Sequence, residues 1–436
     1  MNAVRIGLLG LGTVGGGTLE LLTRNADEIA RRAGRPLRVT HASVRNPERA
    51  QGLPADIALH TDPFAVVRQP DVDIVAELIG GMEPARELSL AAIGAGKHVV
   101  TANKALIAHH GNEIFEAARR AGVAVGFEAA VAGGIPVIKT LREGLAGNRI
   151  DGIAGIINGT SNYILTQMRD AGLDFATALA DAQRLGYAEA DPSFDIDGVD
   201  AAHKLSILAA IAFGMPLCFD QVHIEGIRDL SAVDVDYAGQ LGYRLKLLGI
   251  ARRGADGVQL RVHPTLLPQR HLLAQVDGVI NAVLVDSDAL GQSLYYGAGA
   301  GAGPTASAVV ADLVDIARAL TIDAEHRVPY LAFHHDHLQA LPVQPIDAVE
   351  TAFYLRLTAL DRPGVLADVT RILADQQISI EAILQKEPAA GASHVAVILL
   401  THRVLERALR DAITRIEALP SIDGRVVSLR LDHLEH

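Results

Sequence analysis

"VRIGLLGLGTVGGGTLELL", residues Val4–Leu22, decides how the first third of the chain folds. A short apolar run leads into Gly10, Gly12 and Gly15, spaced G-x-G-x-x-G, and then into apolar residues at helical spacing. Each glycine answers a different steric demand. Gly10 permits a tight turn out of the strand, Gly12 lets a pyrophosphate approach the backbone, and Gly15 lets helix and strand pack closely. The N–H groups at the helix start favour an anion. Such a motif is weak evidence alone, but here it follows a strand and opens a helix, which is the context it requires. Gly10, Gly12, Thr13, Val14 and Gly15 are therefore expected to cradle a dinucleotide.

The second strand, "LRVTHASVRNPERA", should end near an Asp or Glu if the ribose hydroxyls of NAD are to be held. Val44-Arg45-Asn46 stands there instead. A guanidinium accommodates a 2′-phosphate, so NADP(H) is expected as the preferred cofactor, with NAD(H) as the second choice. Arg45 as a plain surface residue is the competing reading. Further on, "DVDIVAELIGG" reads as a strand and "GKHVVTANKALIAHHGNEIFEAARRAG" as strand, loop and helix. The loop Thr101–Lys104 falls past the strand's carboxyl end, where open α/β sheets bind ligands. Thr101 and Lys104 are placed to meet cofactor or substrate, although Lys104 also suits an ordinary first helical turn.

Composition bounds the rest. A chain of 436 residues suggests about three domains, and 49% apolar residues are enough for real cores. A net charge of −12 argues against nucleic acid or anionic membrane as partners. The single cysteine, Cys218, excludes a disulfide framework and suits a reducing cytosol. No stretch reads as a transmembrane span, since the apolar run Leu205–Phe219 is short and contains Pro216. The N-terminus reads as a buried strand, not a signal peptide, and a cytoplasmic protein is expected.

"GYAEADPSFDIDGVDAAHKLSIL", Gly186–Leu208, sets Glu189, Asp191, Asp195, Asp197 and Asp200 ahead of Lys204 and an apolar helical run. A calcium loop starting at Ser193 fails, because its twelfth position is Lys204 where a bidentate Glu is needed. A solvated acidic loop with an i,i+4 pair explains Asp200 and Lys204. It does not explain why Lys204 enters "LSILAAIAF", where its charge is partly desolvated. Desolvation lowers a lysine's pKa, while neighbouring Asp195 and Asp200 keep it protonated, and such a lysine can hand a proton to an oxygen. The spare carboxylates suit an α-ammonium on the substrate. Upstream, "GIAGIINGTSNYILTQM" reads as a strand, a polar turn at Asn158–Asn162 that could hold a carboxylate, and a helix.

These motifs resemble the homoserine dehydrogenase family, in the form with a C-terminal ACT domain, over essentially the whole chain. The resemblance rests on "GLGTVG" at Gly10–Gly15, "TANK" at Thr101–Lys104, "INGTSNYIL" at Ile157–Leu165 and the acidic stretch at Gly186–Lys204. "GAGAGAGPTASAVVAD" at Gly297–Asp312, which includes the expected cofactor contact Gly303, resembles the family's return to the nucleotide domain. It implies an α/β chain: a Rossmann-type domain at 1–130, then a catalytic and dimerisation domain at 131–330 whose helix at about 304–322 returns to the nucleotide domain. A linker at 331–350 and an ACT domain at 351–436 follow. It also implies reversible, NAD(P)-dependent interconversion of L-aspartate 4-semialdehyde and L-homoserine by direct hydride transfer.

By position, Lys204 matches the family's proton donor and Lys104 its second lysine. Glu189 matches the substrate-binding glutamate, Asp195 and Asp200 match the acids around the lysine, and Gly159, Thr160 and Tyr187 match other substrate contacts. In the hinge "FEAAVAGGI", Glu128, Val131, Gly133 and Ile135 match a monovalent-cation site (Na⁺ or K⁺) built mostly from backbone carbonyls. A homodimer or larger homo-oligomer is implied as well.

The C-terminal segment reads independently as βαββαβ, a ferredoxin-like module. "LDRPGVLADV" at Leu360–Val369 resembles the ACT signature, and the family suggests threonine as its effector; a purely structural dimerisation module is the alternative. His334, His335 and His337 lack supporting ligands and suit an exposed connector better than a metal site. Rival enzymes fit less well. A 3-phosphoglycerate dehydrogenase needs an Arg/Glu/His set, and an aspartate-semialdehyde dehydrogenase needs a cysteine nucleophile, whereas Cys218 in "AFGMPLCFD" has no base beside it. A catalytically dead NADP- and amino-acid-sensing protein is opposed by the intact Lys104, Glu189 and Lys204.

Overall fold

The computed structural model describes residues 2–46, 53–385 and 393–434. The chain forms two compact units. One comprises Met1–Gly159, Val199–Val222 and Val279–Leu341, and the other Thr160–Gly198, His223–Gly278 and Pro342–His436.

In the first unit, β1 (Val4–Leu9) is buried along most of its length, as a strand covered on both faces must be. Thr13–Arg24 (α1) and Ala26–Ala33 (α2) lead to β2 (Leu37–Ser43). Ala58–His60 (β3), Pro63–Val67 (α3), Ile74–Glu77 (β4), Ala85–Gly94 (α4), His98–Thr101 (β5), Lys104–Ala121 (α5) and Val125–Gly126 (β6) follow. The sheet is wholly parallel, in the order β3-β2-β1-β4-β5-β6. Strand order reverses at β1 and β4, and the crevice at such a switch point is where doubly wound sheets take their ligands.

The helix Ala302–Ala319 belongs to this same core, where Val309 and Leu313 pack with Leu8, Leu19 and Val39. Its approach to α1 is close: a Cβ on Gly17 would lie 2.7 Å from the Ala302 carbonyl oxygen. The first unit also holds the antiparallel strands Ile150–Ile156, Ile280–Ser287 and Gly291–Ala298. Its helix Val199–Phe213 is apolar all round apart from Asp200, His203, Lys204 and Ser206, and every residue from Asp200 to Phe213 is buried. A helix with no polar face belongs in an interior.

In the second unit, Glu350–Leu360, Val365–Asp375, Ile380–Gln385, His394–Thr401, Glu406–Glu417 and Ile422–Leu431 give the expected βαββαβ order. Leu355, Leu357, Val369, Leu373, Val397, Leu399, Leu409 and Ile416 fill the core between that sheet and its two helices. Its last strand also runs parallel to Gly257–Pro268, pairing Arg430 with Thr265 and Leu431 with Leu266. Gly257–Pro268 is the second strand of a long antiparallel hairpin begun by Tyr243–Gly254. Three short pieces cover the hairpin strand's other side: Val343 at Val258, His223–Ile224 at Arg261 and Val262, and the last strand at Thr265 and Leu266.

Candidate active site

The glycine loop has the shape the motif demands. Gly10 sits at φ +90°, where a side chain is strained, and a Cβ there would meet the Leu78 carbonyl oxygen at 2.9 Å. A Cβ on Gly15 would lie 2.0 Å from the Gly10 carbonyl oxygen, so only glycine lets α1 start this close to the loop. Gly12, the N-cap of α1, has nothing but its own chain neighbours within 4 Å of where its Cβ would be, and no side chain caps that helix. Open space before uncapped N–H groups fits the pyrophosphate of a dinucleotide. Arg45 is exposed just past β2, ahead of residues outside the described part of the chain.

The loop after β5 is held from beneath. The Thr101 hydroxyl donates to the buried Glu77 carboxylate at 2.7 Å and accepts from the Asn103 N–H at 3.0 Å. Asn103 in turn caps α5, its Oδ1 accepting from the Leu106 N–H at 3.1 Å. Lys104 is thereby fixed as the first residue of α5. His109, on the same helix, reaches His203 with 3.0 Å between their Nε2 atoms, joining the helices that carry the two lysines.

Those lysines meet on one carboxylate. Lys104 Nζ lies 2.8 Å from Asp200 Oδ1, and Lys204 Nζ lies 2.7 Å from Oδ2. Lys204 also donates to the Ile157 carbonyl at 2.7 Å, and the Asn158 amide donates to Asp200 Oδ2 at 2.8 Å. Asp200 is 2% exposed and Lys204 8%, whereas the Lys104 side chain keeps 35% of its surface open. Burial pushes the Asp200 carboxyl up, but the ammonium groups of Lys204 and Lys104 outweigh it and hold the group well below the ordinary aspartate value. An ionised Asp200 between two ammonium groups holds both in place.

The other expected substrate residues lie in the second unit, Gly159 excepted. Thr160 and Tyr187 are tied to each other, the Thr160 hydroxyl donating to the Tyr187 carbonyl at 2.7 Å. Tyr187 is 43% exposed and Glu189 is exposed too. The Asp195 carbonyl accepts from the Ser161 hydroxyl at 3.1 Å. Asp197 is bound by Arg228, and Asp191 accepts from the Ser193 N–H at 3.1 Å, so both shape the loop. The stretch whose twelfth position rules out a calcium loop forms a short helix, Ser193–Ile196, followed by the helix of Lys204. Two contributors escaped the sequence reading. Asn158 was placed only in a carboxylate-holding turn, and the Ile157 carbonyl carries no signal that residue type could reveal.

Glu128 is 1% exposed, and its carboxylate accepts from the N–H groups of Ile138 at 2.9 Å and Lys139 at 2.8 Å. Burial pushes its carboxyl up to about 7. The backbone from Val131 to Ile135 is irregular, with Ala132 at φ 54° and Gly133 at φ 48°. Burial also pushes the Cys218 thiol up to about 11, the opposite of what a nucleophile needs. No group of three or more His, Cys, Asp or Glu able to hold a metal occurs among the described residues, and His334, His335 and His337 are exposed.

Family models match along the chain. Residues 10–128 match the homoserine dehydrogenase NAD-binding domain, 136–314 match homoserine dehydrogenase, and 353–420 match the ACT domain. The chain is 58% identical over 434 residues to a homoserine dehydrogenase of Pseudomonas aeruginosa, covering 100% of both chains. It is similar to a solved homoserine dehydrogenase structure from Thiobacillus denitrificans, with 62% identity, a TM-score of 0.95 and coverage of 100% of this chain and 99% of that one. A hyperthermophilic archaeal homoserine dehydrogenase in complex with NADPH is 28% identical, with a TM-score of 0.62, covering 72% of this chain and 97% of that one. With its nucleotide-binding, catalytic and ACT domains, the chain belongs to the homoserine dehydrogenase family.

Proposed function

We infer that the chain catalyses the reversible, NAD(P)-dependent interconversion of L-aspartate 4-semialdehyde and L-homoserine, in the route from aspartate to threonine, methionine and isoleucine. The observation that carries the chemistry is the pair of lysine ammonium groups on the two oxygens of buried Asp200. The nicotinamide, when bound, supplies or accepts the hydride. Lys204, anchored by Asp200 and the Ile157 carbonyl, protonates the alkoxide that develops on the aldehyde oxygen, and removes that proton in the reverse direction. Lys104, more open, offsets the negative charge as it forms. Glu189 binds the α-ammonium of the amino acid, with Thr160, Tyr187, Asp195 and Gly159 shaping its surroundings. Gly10, Gly12, Thr13, Val14, Gly15, Thr101 and Gly303 hold the dinucleotide.

Homoserine-dependent reduction of NADP⁺ and NAD⁺, followed side by side by absorbance, tests this directly; no reduction of either cofactor overturns it. Arg45 supports a preference for NADP(H), and Arg45→Ala should shift the kcat/KM ratio toward NAD⁺ by roughly tenfold. The irregular backbone around Val131, Gly133 and Ile135, with Glu128, supports a monovalent cation, tested by activity in K⁺, Na⁺ and a tetraalkylammonium salt. The Asp361–Gly364 turn ahead of the helix Val365–Asp375 supports threonine as effector, acting in a cytoplasmic homo-oligomer. Loss of activity with millimolar threonine is the expected result.

A further inference from the structure

The turn Ser193–Asp197, which follows the loop carrying Glu189, rests on a short segment of its own unit, residues 225–228. The Ile227 N–H donates to the Ile196 carbonyl at 2.8 Å. A Cβ on Gly226 would lie 2.4 Å from that same carbonyl oxygen and 2.6 Å from Asp197 Cα, so the two backbones touch where no other residue would fit. Arg228 binds both oxygens of Asp197 and donates to Ser193 Oγ at 2.7 Å. Closer to Glu189, the Gln183 amide donates to the Glu189 carbonyl at 3.0 Å, and Asp191 accepts from the Ser193 N–H. The Ser193–Asp197 turn is therefore one of two anchors of the segment between Ala188 and Ser193.

The seat is itself held by the C-terminal module. The Arg430 guanidinium, its side chain 7% exposed, donates to Glu225 at 2.7 and 2.8 Å and to Glu406 at 2.6 and 2.9 Å. Glu225 also accepts from His223 at 2.8 Å, and its N–H donates to the Val262 carbonyl at 2.8 Å. Bidentate pairs to two carboxylates fix a guanidinium in orientation as well as place. Glu406 starts the helix Glu406–Glu417, so both ends of the contact are tied to rigid elements.

We propose that Arg430 and Arg228 are positioning residues for substrate: Arg430 locks Glu225, and the segment 225–228 holds the Ser193–Asp197 turn that sets the height of Glu189. This assignment rests on Glu189 binding the amino-acid substrate. Neither arginine is proposed as a catalytic residue: each acts through the backbone that carries Glu189. The C-terminal module thus contributes to substrate capture with no effector bound.

The test is steady-state kinetics of the full chain with homoserine and NADP⁺, using Arg430→Gln, Arg228→Gln and Arg228→Lys. Each Gln variant should raise KM for homoserine about tenfold, the scale of one lost charge-assisted hydrogen bond, and change kcat and KM for NADP⁺ less than about twofold. Arg228→Lys should recover part of the loss. Arg430 is buried and its variant can fail to fold, whereas Arg228 is half-exposed and carries the test on its own, with NADPH binding as the check that the chain is folded. An unchanged KM for homoserine in Arg228→Gln overturns the proposal, as does a parallel loss in kcat and both KM values. Glu189→Gln separates the two questions. If it leaves KM for homoserine unchanged, the substrate assignment fails; if it raises KM while the arginine variants do not, only the positioning role fails.

Discussion

Asp200 is 2% exposed with a lysine ammonium on each oxygen, whereas Tyr187, in the stretch that precedes it, is 43% exposed and Glu189 stands in solvent. One short run of sequence therefore supplies two kinds of region. The helix Val199–Phe213 encloses charge, and enclosure makes the interaction of Asp200 with its lysines stronger than it would be in water. The loop before it keeps charge hydrated and holds its form with turns and one arginine. Proton transfer needs a fixed donor, and capture of a zwitterion needs accessible carboxylates that a ligand can desolvate.

Breaking the enclosed region should have the largest effect. Lys204→Ala removes the proposed proton donor, and kcat should fall by about two to four orders of magnitude with little change in KM for NADP⁺, measured in steady state. Near-normal kcat in that variant would remove Lys204 from the mechanism. Asp200→Asn leaves two ammonium groups facing a neutral amide, and breaking a buried pair this way should cost about 3–5 kcal/mol of stability, read from denaturant unfolding. The exposed loop should respond differently. Glu189→Gln should raise KM for homoserine about tenfold or more while Tm stays within a few degrees, because no buried partner is orphaned.

A further effect concerns pH. Burial, helped by the proximity of His109, lowers the His203 imidazole from its ordinary value to about 4. Between pH 4 and 6.5 the unfolded chain then takes up a proton that the folded chain refuses. Stability is full above about pH 6.5 and falls as pH drops toward 4, by about 2 kcal/mol at pH 5 from this group. Denaturation at pH 7.5 and 5 should show the loss, and His203→Gln should reduce it. His263, buried and held well below its ordinary value, acts in the same direction, so the slope should not vanish. A steeper slope in His203→Gln would contradict the burial account.

The legible parts of this molecule are those governed by local rules. The glycine spacing at Gly10, Gly12 and Gly15, the i,i+4 placement of Asp200 and Lys204, and the βαββαβ order of the C-terminal module all follow from short-range sterics and periodicity. Asp200 was expected to accompany Lys204, but its second partner, Lys104, lies 96 residues upstream and no spacing joins them. Arg430 and Glu225 are 205 positions apart. An arginine on a solvent-facing strand edge and one in a buried ion pair look alike until the sheet order is known. The contribution of the Ile157 carbonyl is invisible for another reason: every residue has a backbone oxygen.

The hairpin strand Gly257–Pro268 bears on the chain's behaviour outside catalysis. Twelve residues of β-backbone could template another copy, and bare strand edges are where proteins aggregate. Here that side is roofed at Val258, at Arg261 and Val262, and at Thr265 and Leu266 by three segments from distant parts of the sequence. Two of the three come from beyond residue 341, one of them the last strand of the ACT domain. Trimming this chain to its dehydrogenase part would therefore do more than remove the ACT domain: it would uncover a strand edge able to pair with another copy.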